Sequence, residues 1–301
     1  MLDGSTDKLL WAVLQTVTYS DIFDYPLTAR EVHRYLTGVK ATFEEVALSL
    51  ETGILGRVGE YFTLPGREAI SDIRLQREKR SRELLPTAIR YGRILGGLPY
   101  IRMVALTGSL AVLNVSKNAD FDYMLVTSPG RVWTARAFAV TFGRIMRLFG
   151  HRICVNLLVS EHALPWERHD LYTAREICQM IPVTGVNVYQ RLRVENAWTE
   201  DVLPNAKLSA PNIIQMSDRN TLRTIQYLLE LILRGRLGSW LERYAMKLQL
   251  LRMTRQYGAS DEAIFSVDIC QANFHHHRRG TQEAFQSKLA TLGAAREATI
   301  A

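Results

Sequence analysis

The stretch Leu106-Thr107-Gly108-Ser109, followed after ten residues by Asp120-Phe121-Asp122-Tyr123, decides how the rest of this chain is read. The Gly-Ser turn sits where the short apolar run Met103-Val104-Ala105-Leu106 hands over to a short helix expected over residues 109–115. Glycine lets the backbone approach a ligand closely, and free N–H groups at a helix start favour anions. The Ser109 hydroxyl can donate to a phosphate oxygen. Such turns are common and usually structural, so most of the weight falls on Asp120 and Asp122. Two residues apart on a strand expected to run to Thr127, their side chains point to the same face. Neighbouring carboxylates raise one another's pKa unless a cation neutralises them. Phe121, Tyr123, Met124, Leu125 and Val126 mark the strand around them as core. A paired acid at the exposed end of a buried strand fits a Mg²⁺ site completed by water and triphosphate oxygens. The plainer alternative for Asp-x-Asp alone is a polar strand end with two solvated acids, and the upstream Gly-Ser weighs against it.

Working outward, residues 131–149 form an amphipathic helical pattern with Val132, Ala135, Phe138, Ala139, Phe142, Ile145, Met146 and Phe149 on one side, and residues 153–159 read as a third strand. Strands alternating with helices imply an α/β layer with helices covering the sheet. Upstream, residues 8–19 have helical spacing, and Thr28-Ala29-Arg30-Glu31 and Thr42-Phe43-Glu44-Glu45 are capping boxes that open two further helices. Two short apolar segments around Gly59-Glu60 look like a hairpin. Three helices and a hairpin in residues 1–66 resemble a winged helix. Its expected recognition helix, from Thr42 to Gly53, carries Glu44, Glu45 and Glu51 and no basic residue. That charge argues against duplex DNA as a partner, because a helix entering the major groove needs Arg or Lys to meet phosphates and base edges.

Residues 67–98 read as a charged helical connector, bent or broken near Pro86, and residues 99–170 as the α/β core. Residues 171–301 read as a mostly helical C-terminal domain. There Thr173-Ala174-Arg175-Glu176 is expected as a capping box opening a helix that Pro182 closes, with two long helices over residues 220–235 and 237–256. At 301 residues the chain is long enough for two or three domains. Its three cysteines form no metal-ligand pattern and suit a reducing cytoplasm. No secretory signal is visible, and Glu230 interrupts the apolar run at 228–233, so neither a membrane span nor a membrane partner is expected. The formal charge of +7, concentrated in residues 67–93 and 234–255, suits a polyanionic ligand, although solvated helix faces account for each cluster equally well.

The combination of Gly108-Ser109 with Asp120-Phe121-Asp122 resembles the signature of the DNA polymerase β-like nucleotidyltransferases, over about residues 100–160. The resemblance implies an α/β nucleotidyltransferase core with a mixed sheet, flanked here by the winged-helix-like and C-terminal helical domains. It implies that Gly108 and Ser109 contact the phosphates of an NTP, and that Asp120 and Asp122 are catalytic and ligate Mg²⁺ (or Mn²⁺). The implied reaction moves a nucleoside monophosphate to an acceptor hydroxyl with release of pyrophosphate. The acceptor is a small molecule, a protein side chain or an RNA end. Family members place a third carboxylate on a later strand. The matching residue here is Asn156, a neutral group that can ligate metal only through its carbonyl. Glu161 could take the missing role, the acceptor could be activated otherwise, or catalysis could be lost. The competing expectation is therefore a catalytically attenuated nucleotide sensor or regulatory adaptor. A third, a DNA-binding regulator led by residues 1–66, runs against the acidic helix.

Lys117 and Asn118, ahead of Asp120, are further candidates to reach a phosphate, as is Arg131; each residue type is more often plain surface. The run His275-His276-His277-Arg278-Arg279 is read as a solvated loop or helix start, because adjacent histidines point in different directions and rarely share one metal.

Overall fold

The computed structural model describes residues 4–117, 120–206, 223–257, 262–272 and 277–300. The chain opens with α1 (Gly4–Asp21), β1 (Leu27–Thr28), α2 (Ala29–Arg34), α3 (Phe43–Leu50), β2 (Gly56–Val58) and β3 (Tyr61–Thr63). Both expected capping boxes form. Thr28 accepts from the Glu31 backbone N–H while the Glu31 carboxylate accepts from Thr28 N, and Thr42 and Glu45 do the same. Each reciprocal pair satisfies backbone donors that the helix start would otherwise leave open. The strands make an antiparallel sheet in the order β1-β3-β2, and Val13, Val17, Val32, Leu36, Val46 and Phe62 fill the core between sheet and helices.

Next comes α4 (Ile70–Gly96), which runs unbroken through Pro86. A proline inside a helix costs about 3 kcal/mol, and the sequence alone predicts a bend or break there. Packing on both sides of Pro86 outweighs that cost. Towards the N-terminus, buried Arg74 donates to Glu31 at 2.8 Å and to the Pro26 carbonyl at 3.1 Å, under the Tyr25 ring. Towards the C-terminus, the Tyr123 hydroxyl donates to the Ala88 carbonyl at 2.6 Å, and Leu95 is wholly buried. The expected connector is thus an integral wall of the fold that joins the N-terminal layer to the sheet that follows.

That sheet is built from β4 (Ile101–Leu106), β5 (Asp120–Thr127), β6 (Arg152–Ser160), β7 (Ile181–Thr184), β8 (Ile264–Phe265) and β9 (Ile269–Gln271), in the order β7-β4-β5-β6-β9-β8. Among the described residues only β5 and β6 pair in parallel, and α6 (Val132–Leu148) is the crossover between them; the sheet is mixed. The short α5 (Gly108–Ala111) lies between β4 and β5. Downstream are α7 (Leu171–Gln179), α8 (Val186–Glu195), α9 (Thr199–Val202), α10 (Arg223–Ile232), α11 (Gly235–Tyr257) and α12 (His277–Ile300).

The side-chain alternation of β4 and β5 assigns the layers. Val104, Leu106, Phe121, Tyr123 and Leu125 pack with α4 and α6, whereas Met103, Ala105, Met124 and Val126 pack with α7 and α8. Asp120 and Asp122, in phase with Met124, therefore look towards the α7 side.

The C-terminal region departs from expectation. It does not form a separate helical domain, because β7 caps one edge of the sheet and β9 with β8 extends the other. Helix α7 stops at Gln179, ahead of Pro182 as expected, and Pro182 then lies in the edge strand β7 opposite Ala105, a position that tolerates proline. Among the described residues no helix is long and apolar enough to cross a membrane.

Candidate functional site

β4 ends at Leu106, and the backbone turns through Gly108 with φ +64°, a conformation that favours glycine. The close approach is as demanding as the angle. A Cβ on Gly108 would lie 2.6 Å from Asp122 Oδ2 and 3.2 Å from Asp122 Cγ. The Thr107 N–H donates to the Asp122 carbonyl at 2.9 Å, locking the turn to the strand. The Gly-Ser turn and the paired acids thus form one unit. Gly108→Ala should destabilise the protein by about 1–3 kcal/mol through backbone strain and the clash with Asp122. Urea denaturation measures it, and a variant as stable as the parent would contradict this packing.

Asp122 is tucked beside the turn, and burial together with the charge of Asp120 pushes its carboxyl up to about 6, although a hydrogen bond from Asn156 works the other way. Asp120, at the strand start, forms an ion pair with Arg152 at 2.6 Å, yet its buried Oδ1 has no aligned hydrogen-bond donor. Two neighbouring carboxylates, one of them pushed up by burial and by the other's charge, are the chemistry a hard divalent cation relieves. In that sense Asp120 and Asp122 fit such an ion. Among the described residues no group of three or more His, Cys, Asp or Glu is arranged to hold a metal, so remaining ligands would have to come from substrate and water.

Asn156 reaches the site through an irregularity in β6. Tyr123 pairs with Val155 and Met124 with Leu157, leaving Asn156 as the extra residue of a bulge. Asn156 and Leu157 consequently both face the α7 side. The Asn156 amide donates from Nδ2 to Asp122 Oδ1 at 2.8 Å and accepts at Oδ1 from the Cys154 thiol at 2.7 Å. It thus holds Asp122 in place and turns its oxygen away from that carboxylate. Burial, with Asp122 and Asp120 nearby, pushes the Cys154 thiol up to about 12, so it serves as a donor and not as a nucleophile.

The cleft also holds a residue that the sequence reading missed as a site group. Glu176, on α7, lines the same cleft as Asp120 and Asp122. Burial, and secondarily the Asp122 charge, pushes its carboxyl up to about 7. Thr173-x-x-Glu176 matches a capping box, but the helix starts earlier. Asp170 is its N-cap and accepts from the Thr173 N–H, leaving Glu176 mid-helix on the face shared by Tyr172 and Thr173. An acidic N-cap three residues before Thr173 was the signal available in the sequence.

The cleft holds about 850 Å³. Besides the acids, its walls include Trp166 and Tyr172, with His162 and Arg168 from the loop after β6. His277 and Arg278, which begin α12, form its far wall. His277 does open a helix as expected, and Arg278 is tied to Asp170 at 3.0 Å. His275, His276 and Asn118 lie outside the described residues. Ser109 and Lys117 are exposed near the turn and do not line the cleft. Arg131 is elsewhere, its guanidinium over the Tyr100 ring. Glu161 pairs with Arg191 at 3.0 Å beyond the far end of β6. At about 3.3 Å per residue it stands roughly 20 Å along the strand from the residue facing Asp122, too far to replace a third acid.

Comparison with protein-family models, with curated proteins and with solved structures returns no match.

Proposed function

We propose that this chain is a cytoplasmic, metal-dependent nucleotidyltransferase of the DNA polymerase β-like type. It would move a nucleoside monophosphate from an NTP to an acceptor hydroxyl with release of pyrophosphate. The observation that carries this reading is the close packing of Gly108 against Asp122, with Asp120 beside it at the mouth of a cleft large enough for a nucleotide. The mixed sheet, with β4 antiparallel and β6 parallel to β5, is compatible with it. The order helix, strand, two helices and hairpin in the N-terminal layer supports a winged-helix-like accessory domain. Exposed Glu44 and Glu45 on α3 keep duplex DNA outside the reading.

Asp120 and Asp122 would hold Mg²⁺ or Mn²⁺, whose chemistry is to neutralise charge on the triphosphate and the leaving pyrophosphate. Gly108 lets the backbone approach a phosphate, and the exposed Ser109 hydroxyl, outside the cleft wall but next to Gly108, would donate to a phosphate that extends past the turn. Asn156 keeps Asp122 oriented but cannot take a proton. Glu176 can. As the acceptor oxygen bonds to the α-phosphorus and the bond to the pyrophosphate oxygen breaks, Glu176 receives the acceptor's proton.

Incubation with labelled NTPs, Mg²⁺ or Mn²⁺ and candidate acceptors tests the reading. Label transfer is expected, falling at least about a thousandfold in Asp120→Ala plus Asp122→Ala. Transfer that persists in the double variant would place the chemistry elsewhere.

A nucleotide sensor without turnover is the second reading, and two observations favour it. Asn156 stands where the family has an acid. The loop after the Gly-Ser turn is also gripped by the N-terminal layer: the Tyr25 hydroxyl donates to the Val112 carbonyl at 2.7 Å, and Asn114 Nδ2 donates to the Phe23 carbonyl at 3.0 Å. Metal-dependent NTP binding without transfer, with transfer gained in Asn156→Asp, would select this reading over the first.

A further inference from the structure

The helix α10 is turned inside out relative to an ordinary surface helix, and α11 carries a second apolar stripe on its outer side. An amphipathic helix buries its apolar stripe and leaves its polar face in water. In α10 the polar residues face inward: Gln226 Nε2 donates to the Leu98 and Ile101 carbonyls at 2.9 and 3.0 Å, and Glu230 accepts from Tyr100 N and clamps Arg102. Its apolar residues Ile225, Leu228 and Ile232 are exposed, Ile232 to 67 %. In α11 the inner face packs Met246, Leu250 and Met253 on the core and adds polar anchors. Glu242 accepts from the backbone N–H groups of Trp133 and Thr134, and Gln249 donates to the Trp133 carbonyl. Outward stand Trp240, Tyr244 and Leu251, each at least half exposed, with the Trp240 and Tyr244 rings stacked at 5.4 Å. At about 100° per residue, Trp240, Tyr244, Lys247 and Leu251 share one face. Exposed Arg236 and Arg243 border it.

We propose that this face docks on an anionic lipid bilayer. The two helices lie in the interface, their aliphatic and aromatic side chains at the acyl boundary and their cations among the headgroups. The charge distribution selects this occupant. The acids of both helices are committed inward, so what remains outside is apolar surface rimmed by arginine and lysine. A second copy of the chain seated symmetrically would bring these cations against themselves. Nucleic acid would meet the cations but leave Ile225, Leu228 and Leu251 against phosphates. Docking of this kind needs no membrane-crossing helix.

The test is co-sedimentation of the intact protein with phosphatidylcholine vesicles, with and without phosphatidylglycerol. Binding is expected only to the anionic vesicles and is expected to weaken with salt. The triple variant Arg236→Gln, Arg243→Gln, Lys247→Gln should bind about a hundredfold more weakly, about fivefold for each cation lost. Brominated lipid should quench fluorescence in the parent and not the remainder left in Trp240→Phe. All four positions are exposed, so unchanged circular-dichroism melting certifies folding. The proposal is overturned by sedimentation with neither vesicle, by equal binding to neutral vesicles, or by undiminished binding of the triple variant. It is also overturned if light scattering shows a dimer that Trp240→Ser disperses, or if RNA or polyglutamate is retained through these cations while vesicles are not.

Discussion

Asp122→Asn should stabilise the divalent-free protein at pH 8 while removing its metal-dependent response. The folded state holds the Asp122 carboxyl at about 6 against an ordinary value of 3.8. Between those values the folded protein binds more protons than the unfolded chain. The contribution of Asp122 to stability is therefore fullest below about pH 4 and is lost as pH rises through about 6. The gap amounts to about 3 kcal/mol, reduced to about 1–3 by the opening of the cleft to solvent. Asparagine keeps an acceptor for Asn156 Nδ2 and carries no charge, so it removes that loss. Urea denaturation in EDTA should show the variant ahead of the parent at pH 8 and level with it near pH 4. Mg²⁺ should stabilise the parent at pH 8 and leave the variant unchanged. Equal stability of the two at pH 8, with both responding to Mg²⁺, would sink the assignment of Asp122 to a cation site.

Glu176→Gln is expected to lower kcat by a factor of about 10²–10⁴ while leaving triphosphate affinity nearly intact. The side chain lines the cleft but carries a negative charge when ionised, so its loss removes a proton acceptor and not a phosphate contact. With the parent, the rate should climb with pH through about 7 as Glu176 ionises. In the variant that rise should disappear. Burial, its chief cause, persists when a cation neutralises Asp122, so the rise stays assigned to Glu176 and not to the metal-binding acid. Glutamine should also stabilise the fold at pH 8, because a carboxyl held above its ordinary 4.5 destabilises the native state once ionised. A parent-like pH profile in Glu176→Gln would exclude it as the base. If the protein binds nucleotide without turnover, the stability gain remains while no rate exists to lose.

Several features of the site are legible along the chain because they depend on neighbours two to four residues away. Alternation puts Asp120 and Asp122 on one face of β5, and both threonine capping boxes form where Thr-x-x-Glu announces them. The same local rule misleads at Thr173, where Asp170 competes for the cap and wins. At Pro86 propensity counts the helix's own bonds and omits the packing from both layers that keeps α4 one continuous helix.

The sequence by itself determined that a glycine turn precedes a pair of same-face acids on a buried strand, and that Asn156 is no base. Tertiary structure alone decided what surrounds them. Strand pairing places Gly108 against Asp122, a bulge swings Asn156 onto that carboxylate, and the packing of α7 brings Glu176 into the cleft. It also decided that Gln226 and Glu230 of α10, and Glu242 and Gln249 of α11, reach inward to backbone groups. The physical reason is common to all of these. Local periodicity fixes which side chains share a face, but only the register between strands and the seating of helices on them fix what that face meets.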